Sequence, residues 1–243
     1  MKLGRLAAKR SLKTPALGNY LQISKLPVPP IKNAWEYAVT APWQMMKNDQ
    51  LGDCTCAAAG HMIMNWSANT STVVTPTDDE IIQAYTAVSG YDPSNGNNDN
   101  GAVELDVLNY WKSTGIAGHK ILGFATVDIQ NIDQVKAAMY LFGGVYTGFN
   151  VPQFIMNDTG NHNWTQQSQD TDIIGGHAVP LFGYGRGGAT LVSWGELYTL
   201  SWQFWQTYFD EAYAIVTSDW IKSTGLSPVG IDVNGLLTDL QAI

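Results

Sequence analysis

Residues 47–59 read Lys-Asn-Asp-Gln-Leu-Gly-Asp-Cys-Thr-Cys-Ala-Ala-Ala, a polar loop that runs into a cysteine and then three alanines. Alanine has the highest helix propensity, and an aspartate ahead of such a run is a favoured cap, so a helix is predicted from about Cys54. His61, Met62, Met64 and Trp66 continue it, with Gly60 a mild flaw. Its small apolar side chains predict a central, buried helix. A cysteine at a helix start is placed for chemistry: the thiolate is the nucleophile, and the partial positive charge of the helix N-terminus lowers the thiol pKa. A partner for it lies more than a hundred residues on. His177-Ala178-Val179-Pro180-Leu181-Phe182-Gly183-Tyr184 predicts a strand that starts at the histidine, joined through Gly185-Arg186-Gly187-Gly188 to a second strand, Ala189 to Trp194. An imidazole can lower the thiol pKa and later protonate a leaving group. Distance along the chain is no obstacle, because such partners meet only in the fold.

Working outward, Pro76-Thr77-Asp78-Asp79-Glu80 predicts a helix with acids in its first turn. Residues 91–101 form a long Asp- and Asn-rich loop, and Leu105, Leu108 and Trp111 then repeat at helical spacing. Beyond residue 120 the pattern changes. Strands are predicted at 121–127, 143–149 and 213–216, with a helix at 133–141 and a polar loop at 157–172. Helices first and strands later predict an α+β fold with two segregated halves.

Composition bounds the rest. Of 243 residues 45% are hydrophobic, with nine Trp, which excludes a disordered chain. No apolar run reaches the roughly 18 residues of a membrane span. Two cysteines so close in sequence exclude a disulfide framework. The net charge of −8 is uneven: residues 1–35 carry seven basic residues and no acid, leaving six of the 13 basic residues to face all 21 acids. A basic arm (1–35) with an extended Pro-Val-Pro-Pro run thus precedes an acidic body (36–220), and a C-terminal tail (221–243) is expected to carry one short helix. Opposite charge favours the arm as a strap on its own body, with docking to an anionic partner (a nucleic acid or membrane surface) or to a protein as the alternative. The acidity of the body argues against nucleic acid.

Several segments, taken in order, resemble the papain-like cysteine peptidases over roughly residues 36–218. Lys47–Cys54 is similar to the loop into the catalytic cysteine of that family, with Gly52 two residues before it. Asn100-Gly101-Ala102, Leu108-Asn109-Tyr110-Trp111 and Gly115-Ile116 follow in family order. Gly176–Gly185 resembles the catalytic His strand, Val192-Ser193-Trp194-Gly195 the Asn-Ser-Trp-Gly segment after it, and Tyr213–Val216 the closing strand. The resemblance implies a papain-like α+β fold: a helical half, a twisted antiparallel sheet or barrel half, and a site in the cleft between them.

It also implies the site residues. Cys54 is the preferred nucleophile and His177 the base, then acid. Asn48, six before Cys54, takes the place of the oxyanion Gln. Cys56 competes, because a true Gln, Gln50, lies six before it. The triad Asn falls on Val192, which cannot orient an imidazole; Ser193, Asn163 or Asp172 can substitute. Thr55 replaces the aromatic that follows the family nucleophile. Trp194 is expected to roof the site.

Other features read more plainly. His61 lies two helical turns beyond Cys54 and is expected to be core or rim. No zinc spacing links Cys54, Cys56 and His61, the 92–101 loop fails EF-hand spacing, and no cofactor or metal is expected. Four Asn-X-Ser/Thr sites (Asn65, Asn69, Asn157, Asn163) are expected to be silent. The implied function is a thiol hydrolase of bacterial or phage type that cleaves an amide bond, in a peptide or a peptidoglycan cross-link. The alternative is an inactive papain-like scaffold, for example a virion component, docked through residues 1–35. The lack of an apolar leader fits a cytoplasmic or virion-associated protein.

Overall fold

The computed structural model describes residues 1–19, 27–157, 160–166 and 172–232. Helix α1 (Cys54–Thr70) is buried continuously from Cys54 to Ser67. Its Ala57-Ala58-Ala59 run lets neighbours approach closely, and only a helix apolar all round can sit at the centre of a core. Helix α2 (Asp78–Ser89) starts with a capping box in which Thr77 and Glu80 satisfy each other's backbone N–H, and ends at left-handed Gly90. Helix α3 (Glu104–Ser113) packs Trp111 against Trp66 of α1, ring centroids 5.6 Å apart.

The strands are β1 (Asn33–Ala34), β2 (Ile121–Thr126), β3 (Val145–Pro152), β4 (Asn163–Trp164), β5 (Ile173–Tyr184), β6 (Gly188–Ser193), β7 (Glu196–Ser201) and β8 (Phe209–Thr217). They form one sheet in the order β2-β8-β3-β5-β6-β7-β4, with β1 paired to β5. Among the described strands only the β4–β7 pair is parallel. Because side chains alternate across a strand, this sheet divides two cores. Tyr146, Ala178, Phe182, Val192, Tyr213 and Ile215 face α1, α2 and α3. Val145, Val179, Leu181, Leu191, Ala214 and Val216 face helices α4 (Ile132–Phe142) and α5 (Trp202–Tyr208). The α+β class with a helical half and a sheet half is therefore the one observed.

Local differences from the sequence reading have physical causes. The strand carrying His177 begins at Ile173, so the histidine is central in it: Gly175 and Gly176 pair with Val151 and Asn150, which glycine's poor strand propensity concealed. Residues 196–208, for which the sequence pattern predicts no element, are β7 and α5; Ser201 caps α5 by accepting the Phe204 N–H. The loop at 157–172 contains the short strand β4. The tail helix expected in 221–243 falls largely on residues outside those described; 221–232 are turns and extended chain.

The first residues do not lie on the outer surface. Residues 2–6 run extended along the groove between the halves, and residues 15–17 cross to β2, where Thr126 N–H donates to Pro15 O at 2.8 Å and Leu17 enters the sheet core.

Candidate active site

Cys54 is the first residue of α1 and is 1% exposed. Its sulfur meets the backbone amides of Ala178, from β5, and of Gly4, from the arm. Burial pushes its pKa up to about 12, and the two amides oppose that only in part. Cys56 is fully buried and its thiol is also pushed up by burial. Of the two cysteines, Cys54 is the one that borders the groove.

His177 sits on β5, one residue before the amide that faces Cys54. Its Nε2 is 2.9 Å from Ser193 Oγ on the neighbouring strand β6. Trp194 stacks on the imidazole with centroids 4.5 Å apart and planes 16° apart, and Phe149 meets it edge-on at 5.8 Å. Trp194 and Gly195 form the two-residue turn between β6 and β7, both with positive φ (48° and 74°). Such turns match the twist of a hairpin, yet a bulky residue in this conformation costs about 1–2 kcal/mol. The stack on His177 and the contact with Trp164, at 6.2 Å, hold it there. His177 Nδ1 is buried with no hydrogen-bond partner. Burial first, and then the Arg5 charge, lower its pKa to about 3. Thiol and imidazole are thus both neutral here, and no hydrogen bond joins them.

The other predicted residues are distributed as follows. Asn48 is buried and its amide donates to Leu51 O and to Asp53 Oδ1, each at 3.2 Å, so both its hydrogens are engaged inside the loop. Gln50 is exposed and its amide reaches Asp49. Among the candidates for orienting the imidazole, Ser193 is the one bonded to it; Asn163 accepts from Thr199 Oγ1 at 3.0 Å, Asp172 is exposed at the start of β5, and Val192 packs into the helical core. His61 is buried against Gln44 O at 2.7 Å, with its pKa lowered by burial to about 4. Asn65 is fully buried and donates to Gly143 O, which closes it to a glycan. Among the described residues no group of three His, Cys, Asp or Glu is arranged to hold a metal, and no helix is long and apolar enough to cross a membrane.

Three features escaped the sequence reading. Asp53, at the cap position of α1, is fully buried; burial raises its pKa to about 8 against the opposing Asn48 bond, so it is a neutral acid at pH 7. Asp99, from the 92–101 loop, accepts Gly52 N–H at 2.9 Å and Tyr85 OH at 2.7 Å and pairs with Lys2, tying the cysteine loop to the arm.

The third feature is the arm itself. Lys2 N–H donates to Asn48 O, Arg5 N–H to Gly176 O, Leu6 N–H to Ala102 O, and Ala102 N–H to Gly4 O at 2.8 Å. The approach requires glycine: a methyl on Gly4 would overlap the Gly52 carbonyl, and one on Gly101 the Gly4 carbonyl. Gly4 turns its N–H to the Cys54 sulfur while its carbonyl is bound to Ala102. Extended main chain thus fills the groove over Cys54 and His177 in an arrangement that leaves the Gly4 carbonyl tied down rather than free to be attacked.

No protein-family model matches the sequence, and no curated protein matches it. Solved structures do. Xylellain, a cysteine protease from Xylella fastidiosa, is similar over 88% of this chain and 96% of its own, at 16% identity and TM-score 0.67. Procathepsin B from Trypanosoma congolense covers 89% and 87% at 9% identity and TM-score 0.64, and digestive procathepsin L from Tenebrio molitor 86% and 75% at 13% and 0.56. The fold is papain-like.

Proposed function

We propose that this chain is a thiol hydrolase that cleaves an amide bond of a peptide, with Cys54 as nucleophile, held latent while its own residues 2–6 occupy the groove. The observation that carries this reading is the pairing of a helix-start cysteine with a Trp-stacked histidine on either side of a groove already filled by extended peptide. In the opened groove His177 Nδ1 takes the Cys54 proton. The sulfur attacks the carbonyl carbon, the imidazolium protonates the departing amine, and water then releases the acyl group with His177 as base. The free N–H groups at the α1 terminus, that of Cys54 included, face the developing oxyanion. Asn48 joins them only by giving up Asp53.

Departure of the arm changes both titrations in the same sense. Rehydration lowers the Cys54 pKa from about 12, and loss of burial and of the Arg5 charge raises that of His177 from about 3. An ion pair becomes accessible. The test is alkylation of the full chain with limiting iodoacetamide from pH 5 to 9, with peptide mapping, in the native protein and in Gly4→Ala. The native Cys54 is expected to react slowly throughout. In Gly4→Ala it is expected to react at least about tenfold faster at pH 7, well below the free-thiol pKa of about 8.5, and His177→Ala in that background should abolish the gain.

The second reading, an inert scaffold such as a virion component, draws on Val192 in place of the triad Asn and on the engaged Asn48 amide. It requires that Cys54 of Gly4→Ala react only near the free-thiol pKa, indifferent to His177.

A further inference from the structure

Among the described residues of the arm, Arg5 is the only charged side chain that is buried: it is 1% exposed. Nη1 lies 2.6 Å from Glu211 Oε1 and 2.9 Å from Asp210 Oδ1; Nη2 lies 2.9 Å from Asp210 Oδ2 and 3.4 Å from Asn150 Oδ1. Glu211 Oε2 accepts from Tyr213 OH at 3.0 Å. Across the pocket, Glu104 at the start of α3 is 0% exposed, and neither of its carboxyl oxygens has a hydrogen-bond partner. The floor is Gly148 of β3: a methyl there would strike both Glu104 Oε1 and the Arg5 side chain. Two carboxylates, Asp210 and Glu211, thus pair with the cation, and a third carboxyl group, Glu104, borders the same space without an ion pair to it. Burying Glu211 beside Glu104 is costly unless a positive group fills the space, so the pocket favours a cation.

The arm makes two kinds of contact. Its main chain bonds to Ala102 and Gly176, which any extended peptide can do. Its side-chain selectivity is concentrated at Arg5, one residue beyond the Gly4 amide that faces Cys54. We infer that the Glu104–Asp210–Glu211 pocket is the specificity pocket of the opened groove and takes an arginine or lysine side chain of a bound peptide, next to the residue that lies over Cys54. The arm is then a resident occupant of a basic-residue site. The step from bound peptide to cleaved substrate rests on the hydrolase reading above.

The test uses the full chain carrying Gly4→Ala and Arg5→Ala, which empties both groove and pocket. The octapeptide Met-Lys-Leu-Gly-Arg-Leu-Ala-Ala is titrated into it by calorimetry, beside versions with Lys, citrulline or Leu in place of Arg. The Arg peptide is expected to bind, Lys a few-fold weaker, and the uncharged isostere citrulline at least about tenfold weaker, because charge-assisted bonds are lost. Glu211→Gln added to this background should narrow the gap between Arg and citrulline. Equal binding of Arg, citrulline and Leu peptides overturns the inference. Peptide amides differing at the same residue then report kcat/KM. If Arg peptides bind selectively but no amide is cleaved and Cys54 stays inert, the hydrolase reading falls and the pocket stands. If amides are cleaved without preference for a basic residue, the pocket inference falls and the hydrolase stands.

Discussion

At the scale of single residues, the imidazole is the informative case. A carboxylate partner would offer His177 Nε2 only acceptor oxygen, fixing the tautomer that leaves Nδ1 free. The Ser193 hydroxyl both donates and accepts, so it holds the ring in place without fixing the proton. The Trp194 stack and the Phe149 edge supply the rest of the orientation. Ser193→Ala is therefore expected to leave a buried ring nitrogen unpaired and to cost about 1–3 kcal/mol of stability, read from urea unfolding. In the Gly4→Ala background it should also slow Cys54 alkylation, while Ser193→Thr, which keeps the hydroxyl, restores most of both. An unchanged unfolding midpoint in Ser193→Ala would mean that a water or a neighbour replaces the hydroxyl. Spacing along the sequence leaves Ser193, Asn163 and Asp172 open, because it cannot tell which strand edge meets which; the pairing of β5 with β6 brings Ser193 to the ring.

At the scale of elements, the N-terminus of α1 joins helix formation to titration. Asp53 sits where a charged cap is usual, yet burial keeps its proton up to about pH 8, and Glu36, buried against β5, keeps its own to about pH 7. Unfolded, both ionise near their ordinary values of 3.8 and 4.5, so over pH 5 to 8 the folded chain holds protons that the unfolded chain has lost, and this contribution declines as pH rises. His61 and His177, lowered to about 4 and 3, act oppositely: below pH 6.5 the unfolded chain gains protons the folded chain refuses. The two effects offset each other between about pH 4.5 and 6.5; above that the carboxyl effect remains, joined in the same direction by His119, whose pKa its bond to Asp219 raises. Unfolding free energy is expected to fall from pH 6.5 to 8, by up to about 1.4 kcal/mol per pH unit for each proton held. Asp53→Asn, which retains an oxygen for Asn48, should flatten the fall between pH 7 and 8; urea midpoints at pH 6, 7 and 8 that slope alike in both proteins would remove Asp53 as its source. The elements themselves were largely legible: the Ala run after Cys54, the Thr77–Glu80 box and the Gly-rich link between β5 and β6 are local signals, and local signals survive in sequence. Asn48 was not, because its distance of six residues from Cys54 says nothing of the turn that points its amide back at Asp53.

At the scale of the whole molecule, charge asymmetry was visible from the start, but its destination was not. Arg5 meets Asp210 and Glu211 more than two hundred residues away, and no periodicity carries such a contact. The geometry makes the arm a separable unit. Its pairs at Lys2–Asp99 and Lys9–Asp106 are partly or fully solvated, so salt screens them, whereas the Arg5–Glu211 pair is buried and is screened far less. Raising salt should therefore leave the arm docked and Cys54 closed. Opening must instead break a small cooperative set: the Arg5 pocket and the main-chain bonds of Arg5 to Gly176, Leu6 to Ala102, and Ala102 to Gly4. Neither hydrophobic core is opened when these break, apart from Leu3 leaving its place beside Gly175. Amide hydrogen exchange reads this directly. The N–H groups of Arg5, Leu6 and Ala102 are expected to exchange together, at one free energy below that of the α1 amides, and with a weaker dependence on urea because little surface is exposed. Gly4→Ala should collapse their protection and leave that of α1 intact. Protection of the arm amides equal to that of α1, and lost only with it, would mean that the groove never opens short of unfolding. The chain would then be a permanently closed scaffold, whatever the chemistry of the residues beneath.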